Sequence, residues 1–428
     1  MSNWMTDWDY PQWAAAIEQK IAAKLRWIDQ RTDIWQACVL EAFRSHRVSE
    51  YHFYGTVGYG YHDVGRETLE AVFADVFSSE AALVRPQIVS GTHAISLALF
   101  SILRPGDELL YLSGQPYDTL LPIIGKGRDG TGSLADYGIR YREVPLTSSL
   151  KLDKERLKEM LTEKTKVIAI QRSRGYSSRP SFTISEIADA IRYIRSLASD
   201  VLIFVDNCYG EFVELEEPTH VGADLIAGSL IKNPGGGLAK TGGYLAGKKE
   251  WILRAADRLI APQLGLEMGA TGDGLRDFFQ GLFLAPHTVG EALKGIVFAA
   301  AALEMEGFET SPSWDENRTD IVQQVILQKP EWLIAFCQGI QSASPVDSYL
   351  KLEPTQMPGY DDPVVMAAGT FVSGASIELS ADGPMRSPYI AYLQGGLTYS
   401  HVKIAICSAI QQLKAVMKNS CVNISNTY

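Results

Sequence analysis

An acid and an amine stand at the ends of two apolar runs, and their placement is the first sign of chemistry in this chain. VLIFV leads from Val201 into Asp206, and ADLIAG leads from Ala223 into Ser229-Leu230-Ile231-Lys232. Apolar strands that stop at charged residues are what a parallel α/β sheet offers at its carboxyl edge, where ligands bind. A carboxylate and a primary amine on such an edge suit pyridoxal 5′-phosphate (PLP). That cofactor takes a lysine for its Schiff base and an acid against its pyridinium nitrogen. Burial and the cofactor's environment together are expected to lower the lysine's pKa toward working pH. For Lys232 the plain alternative is a surface lysine before a loop, and Lys240 is its rival nearby.

Other candidates stand at the ends of further runs. Ser90-Gly91-Thr92-His93 precedes a helical pattern from Ala94 to Leu103. A small-residue turn feeding a helix N-terminus presents free N–H groups to a phosphate, and it equally describes an ordinary capped helix. Tyr117 follows the apolar run Glu108 to Leu112, where an aromatic can lie flat on a planar ring or simply pack. Arg172, Arg174 and Arg179 share one loop after Lys166 to Ile170. Guanidinium groups recognise carboxylates or phosphates, and the plain reading of each is a solvated basic loop.

The elements that must position these residues alternate. Runs expected as strands end near Ser113, Gln171, Asp206 and Ser229, with helical patterns over Arg66 to Phe77 and Ile184 to Leu197. Strand, helix, strand in repetition implies a largely parallel sheet. Residues Tyr10 to Arg47 read as a helix, with an apolar stripe through Trp13, Ile17, Ile21, Leu25 and Ile28. Tyr51 to Tyr61 reads as a loop covering a ligand, its own or a neighbouring subunit's. Glu211 to Val221, with four acids and a proline, reads as a surface loop. A second domain is expected near Ala285-Pro286-His287. It would hold a long helix from Glu291 to Glu306, strands within Gly339 to Gly374, and a closing helix from Val402 to Met417.

The chain has 428 residues, 46% hydrophobic and 21% charged, with a formal net charge of -11. That length suffices for more than one domain, and the acidity opposes non-specific nucleic-acid binding. No apolar run has membrane-spanning length, and the N-terminus lacks a signal-peptide layout. Five dispersed cysteines without a C-x-x-C point to thiols in a reducing compartment, hence a cytoplasmic location. The seven histidines show no metal-ligand spacing, so no metal is expected.

Two glycine motifs fail on context. Gly235 to Thr241 lacks the glycine that a P-loop places before its lysine, and Gly243 to Ala246 reads as a strand. The run is read instead as flexible backbone that lets Lys232 swing. Gly130-Thr131-Gly132-Ser133-Leu134-Ala135 matches a dinucleotide pattern but follows no buried strand.

As a set, GYGYHDVGRETLE, SGTHAISLAL, GQPYDTL, QRSRGYSSRPS, VDNCYGEF, SLIKNPGGGLAKTGGY and GPMRSPY resemble the fold-type I PLP enzymes of the cystathionine/methionine lyase superfamily. The similarity is greatest to the branch known as aluminium resistance or methionine γ-lyase-like proteins, and it runs from about Tyr51 to the final helix. It implies an α/β, PLP-dependent transferase-like large domain with a mostly parallel sheet, plus a smaller α+β C-terminal domain. The corresponding divisions are 1–62 (N-terminal helix and interface arm), 63–285 (PLP-binding) and 286–428.

The same resemblance implies roles. Lys232 would be the Schiff-base lysine and Asp206 the partner of the ring nitrogen. Gly91 and Thr92 would bind phosphate through N–H groups, with the Ser229 hydroxyl. Tyr117 would stack on the ring and protonate a leaving thiol. Tyr59 would reach a neighbouring subunit's phosphate, giving dimers with shared active sites, assembled as a tetramer. Arg386 would hold the substrate carboxylate. Three features depart from the better-known lyases. Tyr59 is followed by Gly60-Tyr61 with no arginine at the third place, although Arg66 is near. Lys232 is followed by Asn233-Pro234. Arg386 sits in G-P-M-R-S-P-Y. The implied activity is a carbon–sulfur lyase on cystathionine, cysteine or methionine, releasing thiol, ammonia and a 2-oxo acid. The same parts would serve an aldolase or racemase-like reaction on an amino acid. A non-catalytic binding protein is the remaining reading.

Overall fold

The structure, a computed structural model, describes residues 10–126, 132–357 and 360–425. Gly130 and Thr131 of the rejected dinucleotide motif lie outside the described residues. The chain divides into two compact units, one formed by Ile34–Pro286 and the other by the segments before and after it.

Helix α1 (Tyr10–Ser45) opens the described chain and runs through the first division point. In the unit Ile34–Pro286 there follow α2 (Val64–Val76), β1 (Ala81–Arg85), α3 (Gly91–Ile102), β2 (Glu108–Tyr111), α4 (Leu121–Ile124), β3 (Arg140–Glu143) and α5 (Lys154–Met160). Then come β4 (Thr165–Gln171), α6 (Ile184–Leu197), β5 (Leu202–Asp206), β6 (Leu225–Ser229), β7 (Gly243–Gly247) and α7 (Lys249–Leu259). The seven strands form one sheet in the order β1-β7-β6-β5-β4-β2-β3. β3, β2, β4, β5 and β6 are parallel neighbours, while β7 runs antiparallel to both β6 and β1. The sheet is therefore mostly parallel, as expected.

Burial explains why the parallel strands read as continuous apolar runs. Every residue of β2, β5 and β6 is buried, as strands covered on both faces must be. On one face, Ala94, Ile95, Ala98 and Ile102 of α3 join Leu225, Ala227 and Leu245 in a single core. Register brings the strand ends level: Gln171 pairs with Asp206, and Asp206 with Ala227.

Helix α8 (Leu275–Met305) runs without a break through Pro286, so the expected boundary at 285/286 falls inside a helix. The other unit holds β8 (Glu309–Ser311), β9 (Val322–Ile326), α9 (Pro330–Ser342), β10 (Val364–Ala367), β11 (Ser380–Pro384), β12 (Ile390–Gln394) and α10 (Tyr399–Ser425). Its sheet, β10-β11-β12-β9-β8, is antiparallel throughout. The strands expected within Gly339 to Gly374 reduce to β10, because the segment's start completes α9 and its end turns. Among the described residues, no helix is long and apolar enough to cross a membrane.

The acidic segment 211–221 corrects the surface-loop reading. Glu211 and Glu217 have no exposure. Arg172 is the reason: it too is fully buried, and pairs with Glu217 at 3.2 Å and Glu214 at 3.1 Å. Arg174 and Arg179 are also buried, so the basic loop is not a solvated one. Arg179 donates to the carbonyls of Gln171 and Ser173 at 2.9 and 2.7 Å.

Candidate functional site

Helix α3 begins at the carboxyl edge of the sheet. The Ser90 hydroxyl caps it by accepting from His93 N at 3.0 Å, which leaves Gly91 and Thr92 as its first two residues. Their N–H groups precede the first intrahelical bond and face outward along the helix dipole. A Cβ on Gly91 would lie 3.1 Å from Cys208 Sγ, 3.5 Å from Ser229 Cβ and 3.8 Å from Lys232 Nζ. The sheet edge and the helix N-terminus therefore meet around a residue that has no side chain. Among the described residues, the buried Ser229 hydroxyl has no hydrogen-bond partner. A buried hydroxyl left unpaired costs on the order of 1–3 kcal/mol, which a bound acceptor would recover.

Lys232 lies three residues beyond β6, with Nζ 4.0 Å from the centroid of the Tyr209 ring. Burial lowers its proton affinity, but Cys208, Tyr209, Asp206 and Glu211 around it outweigh burial and hold it above the ordinary lysine value. In the protein alone, burial therefore does not by itself bring the lysine down, because these groups outweigh it. Lys240 is excluded as the amine of this pocket: its side chain is 78% exposed and ion-paired with Asp277 at 2.9 Å.

Asp206 ends β5 and is buried. Its Oδ1 accepts from Cys208 N at 3.1 Å. Burial raises its carboxyl above the usual range, and Lys232, the Cys208 hydrogen bonds and Arg179 pull it back. Tyr117 adjoins the ends of β2 and β4: its N–H donates to Gln171 Oε1 at 2.7 Å. A Cβ on Gly175 would come within 2.7 Å of its ring, and Tyr176 meets it edge-on at 5.8 Å. Thr92 and Thr119 share a hydroxyl contact of 3.1 Å, joining the α3 turn to the segment after Tyr117.

The structure thus brings together Gly91, Thr92, Asp206, Ser229 and Lys232, with Tyr117 on the same sheet edge. Tyr59 belongs to the 51–61 loop and is 69% exposed. That loop is fastened: Gly269 N donates to Tyr59 O at 2.9 Å, and Asp63 accepts from Thr56 and Thr271 hydroxyls at 2.6 Å each. Arg66, the arginine nearest in sequence, is spent on backbone. It donates to the carbonyls of Gly60, Gly269 and Leu266 at 2.9, 2.9 and 3.0 Å. Arg386 lies in the other unit, just after β11, half exposed and paired with Asp362 at 3.0 Å.

The glycine run after Lys232 corrects the flexible-hinge reading. A Cβ on Gly235 would sit 1.8 Å from Leu230 O, and one on Gly236 would sit 2.3 Å from Gly281 O of α8. Gly236 also has a φ of 55°. These glycines permit close packing of backbone on backbone, which holds the lysine segment in place. Sequence reasoning missed Cys208, Tyr209 and Glu211, which all lie within the VDNCYGEF segment. The positive φ of Tyr209, 72°, folds them back toward Lys232.

An amine beside a helix N-terminus, an unpaired buried hydroxyl and a buried carboxyl on the next strand fit a phosphorylated aldehyde with a ring nitrogen, which is the description of PLP. Comparison with known proteins agrees. The methionine gamma-lyase family matches residues 11–414. The uncharacterized protein YnbB of Bacillus subtilis is 56% identical over 94% of this chain and 95% of its own length. The crystal structure of a carbon-sulfur lyase involved in aluminum resistance from Clostridium novyi is 46% identical. It superposes with a TM-score of 0.90 over 95% of this chain and 96% of that one. The PLP-dependent protein YhfS of Escherichia coli shares the fold, with 18% identity and a TM-score of 0.60 over 90% and 97% of the two chains. The chain belongs to the methionine gamma-lyase family, and with that family it is a PLP-dependent lyase of fold type I.

Proposed function

We propose that this protein is a carbon–sulfur lyase that eliminates a thiol from a sulfur amino acid of the cystathionine, cysteine or methionine class. The observation that carries the reading is the meeting of Lys232 Nζ, the unpaired Ser229 hydroxyl and the first turn of α3 around Gly91. Lys232 is the residue that holds the cofactor and then takes the substrate's α-proton. Gly91 and Thr92 hold the phosphate through N–H groups, and Ser229 adds its hydroxyl. Asp206 keeps the ring nitrogen protonated. Bound PLP supplies an electron sink for the carbanion at the substrate's α-carbon. Tyr117 covers the ring and protonates the departing thiolate. Arg386 takes the substrate carboxylate through a bidentate pair, which requires it to leave Asp362. Tyr59, exposed on a fastened loop, serves the phosphate of a second copy, and the assembly is a tetramer of such pairs.

The test has two parts. Purified protein should show a visible absorbance band that borohydride abolishes and Lys232→Ala lacks. A panel of amino acids should then release thiol, ammonia and 2-oxo acid in equal amounts from a sulfur-containing member. A band without thiol release from any of them would overturn the lyase reading.

A further inference from the structure

Gln171 is a buried amide at the end of β4 to which the proposed lyase reaction assigns no part. Val167 and Ala169 of β4 share the core on the α3 side of the sheet with Leu202 and Phe204 of β5. Side chains alternate along a strand, so Gln171 and Asp206, which are register partners, point to that same side. Tyr117 packs against the same core. Both ends of the Gln171 amide are engaged: Oε1 accepts from Tyr117 N at 2.7 Å, and Nε2 donates to Ser173 O at 2.8 Å. Its backbone is fixed as well. Gln171 N donates to Ser113 Oγ at 2.9 Å, and the Gln171 carbonyl accepts from Arg179 Nη2 at 2.9 Å.

We propose that Gln171 is a positioning residue for Tyr117, one amide that fixes both supports of its ring. Through Oε1 it holds the backbone from which Tyr117 projects. Through Nε2 it holds the start of the loop that lies against the ring. A Cβ on Gly175 of that loop would come within 2.7 Å of Tyr117 Cδ2 and 3.3 Å of Gln171 Nε2. Gly175 has a φ of 58°, and Tyr176 after it meets the Tyr117 ring edge-on at 5.8 Å. An amide suits this place because it carries an acceptor and donors on one planar end. A carboxylate would have no donor for Ser173 O and would stand beside Asp206 with like charge. A methionine of similar length would leave Tyr117 N and Ser173 O without these partners. The height and tilt of the Tyr117 ring are therefore set from β4, the strand next to the one that carries Asp206.

The inference rests on Tyr117 covering the cofactor ring, and the test separates the two. Hydrogen exchange of the Tyr117 amide in the full chain reads the hold itself, without reference to the cofactor. Gln171→Met removes both amide bonds, and exchange should become about tenfold faster. Gln171→Glu keeps an acceptor for Tyr117 N in either charge state, so exchange should stay within about twofold of wild type. PLP affinity, titrated by absorbance, reads the consequence. Gln171→Met should weaken it about tenfold, but less than about twofold in a Tyr117→Ala background, because the double-mutant cycle isolates what passes through Tyr117. Unchanged exchange in Gln171→Met, or exchange in Gln171→Glu as fast as in Gln171→Met, overturns the inference. Equal losses of PLP affinity in both Tyr117 backgrounds overturn it as well. Faster exchange in Gln171→Met, joined to a Tyr117→Ala variant that binds PLP like wild type, supports the hold on Tyr117 and overturns the covering role of Tyr117 instead.

Discussion

Arg172 holds Asn207, the residue after Asp206, through a 2.8 Å bond from Nη1 to Oδ1. Arg172 N also donates to Asp206 O at 3.1 Å, and Asn207 Nδ2 reaches Glu217 Oε2 at 2.8 Å. One buried guanidinium thus fixes the end of β5 and neutralises the acidic loop beneath it. Removing it would strand Glu217, which has no exposure. Breaking a buried pair from one side costs about 3–5 kcal/mol. Arg172→Ala should lose stability on that scale in urea denaturation, and Arg172→Lys should recover little, since one ammonium cannot reproduce the fork to Glu214, Glu217 and Asn207.

Gly91 tests how closely the helix approaches the lysine. In Gly91→Ala the methyl would meet Cys208 Sγ at 3.1 Å, tighter than ordinary contact, with Ser229 and Lys232 next. The α3 turn must shift, so PLP affinity should fall about tenfold, on the order of 1.4 kcal/mol. Adding Cys208→Ala removes the sulfur and should restore part of the loss. Cofactor titration by absorbance reads both. A double variant no better than the single one would show that the sulfur is not what crowds the turn.

The legible part of this site was the part written along strands. Asp206 and Lys232 stand out because fully buried parallel strands are unbroken apolar runs, and their ends are marked by the first polar residue. Glu211 and Glu217 did not stand out, because an acidic run is read as solvated unless its counter-ion is known. Arg172, some forty positions earlier, supplies that counter-ion only after β4 and β5 pair. β11 was illegible for a related reason. SADGP has no alternation and little apolar character, yet all five residues are buried, because neighbouring strands and not its own side chains decide its place. The glycines after Lys232 were read as freedom, whereas the approach of α8 makes them a packing requirement.

Asp206→Asn keeps the size and the hydrogen bond from Cys208 N but loses the charge that favours a protonated ring nitrogen. Cofactor binding should persist while kcat falls about 10²–10³-fold, the range for loss of one preorganised electrostatic contact. Near-normal turnover in this variant would remove Asp206 from the reaction.

Glu211 also predicts how stability changes with pH. Its folded pKa, about 8, lies above the ordinary 4.5, so between these values the folded state binds more protons than the unfolded one. Stability from this group is then present at low pH and falls as pH rises through the window, complete above about pH 8. Glu211→Gln removes the titration. The stability difference between Glu211→Gln and wild type should therefore move in the variant's favour from pH 5 to pH 9, measured by urea denaturation. A constant difference would mean that Glu211 is ionised throughout.

Arg386 separates binding from folding. Its pair with Asp362 is exposed on both sides, 48% and 36%, and such pairs contribute at most about 1 kcal/mol. Arg386→Ala should leave the denaturation midpoint nearly unchanged. If the guanidinium binds the substrate carboxylate, KM should rise about 10–100-fold, the loss of a charge-assisted pair, while cofactor absorbance stays intact. Asp362→Asn gives the opposite test, since it removes this ion pair and keeps the guanidinium. KM should then stay the same or fall. A rise in KM in Asp362→Asn would mean that the ion pair orients Arg386 toward the substrate and does not compete with it.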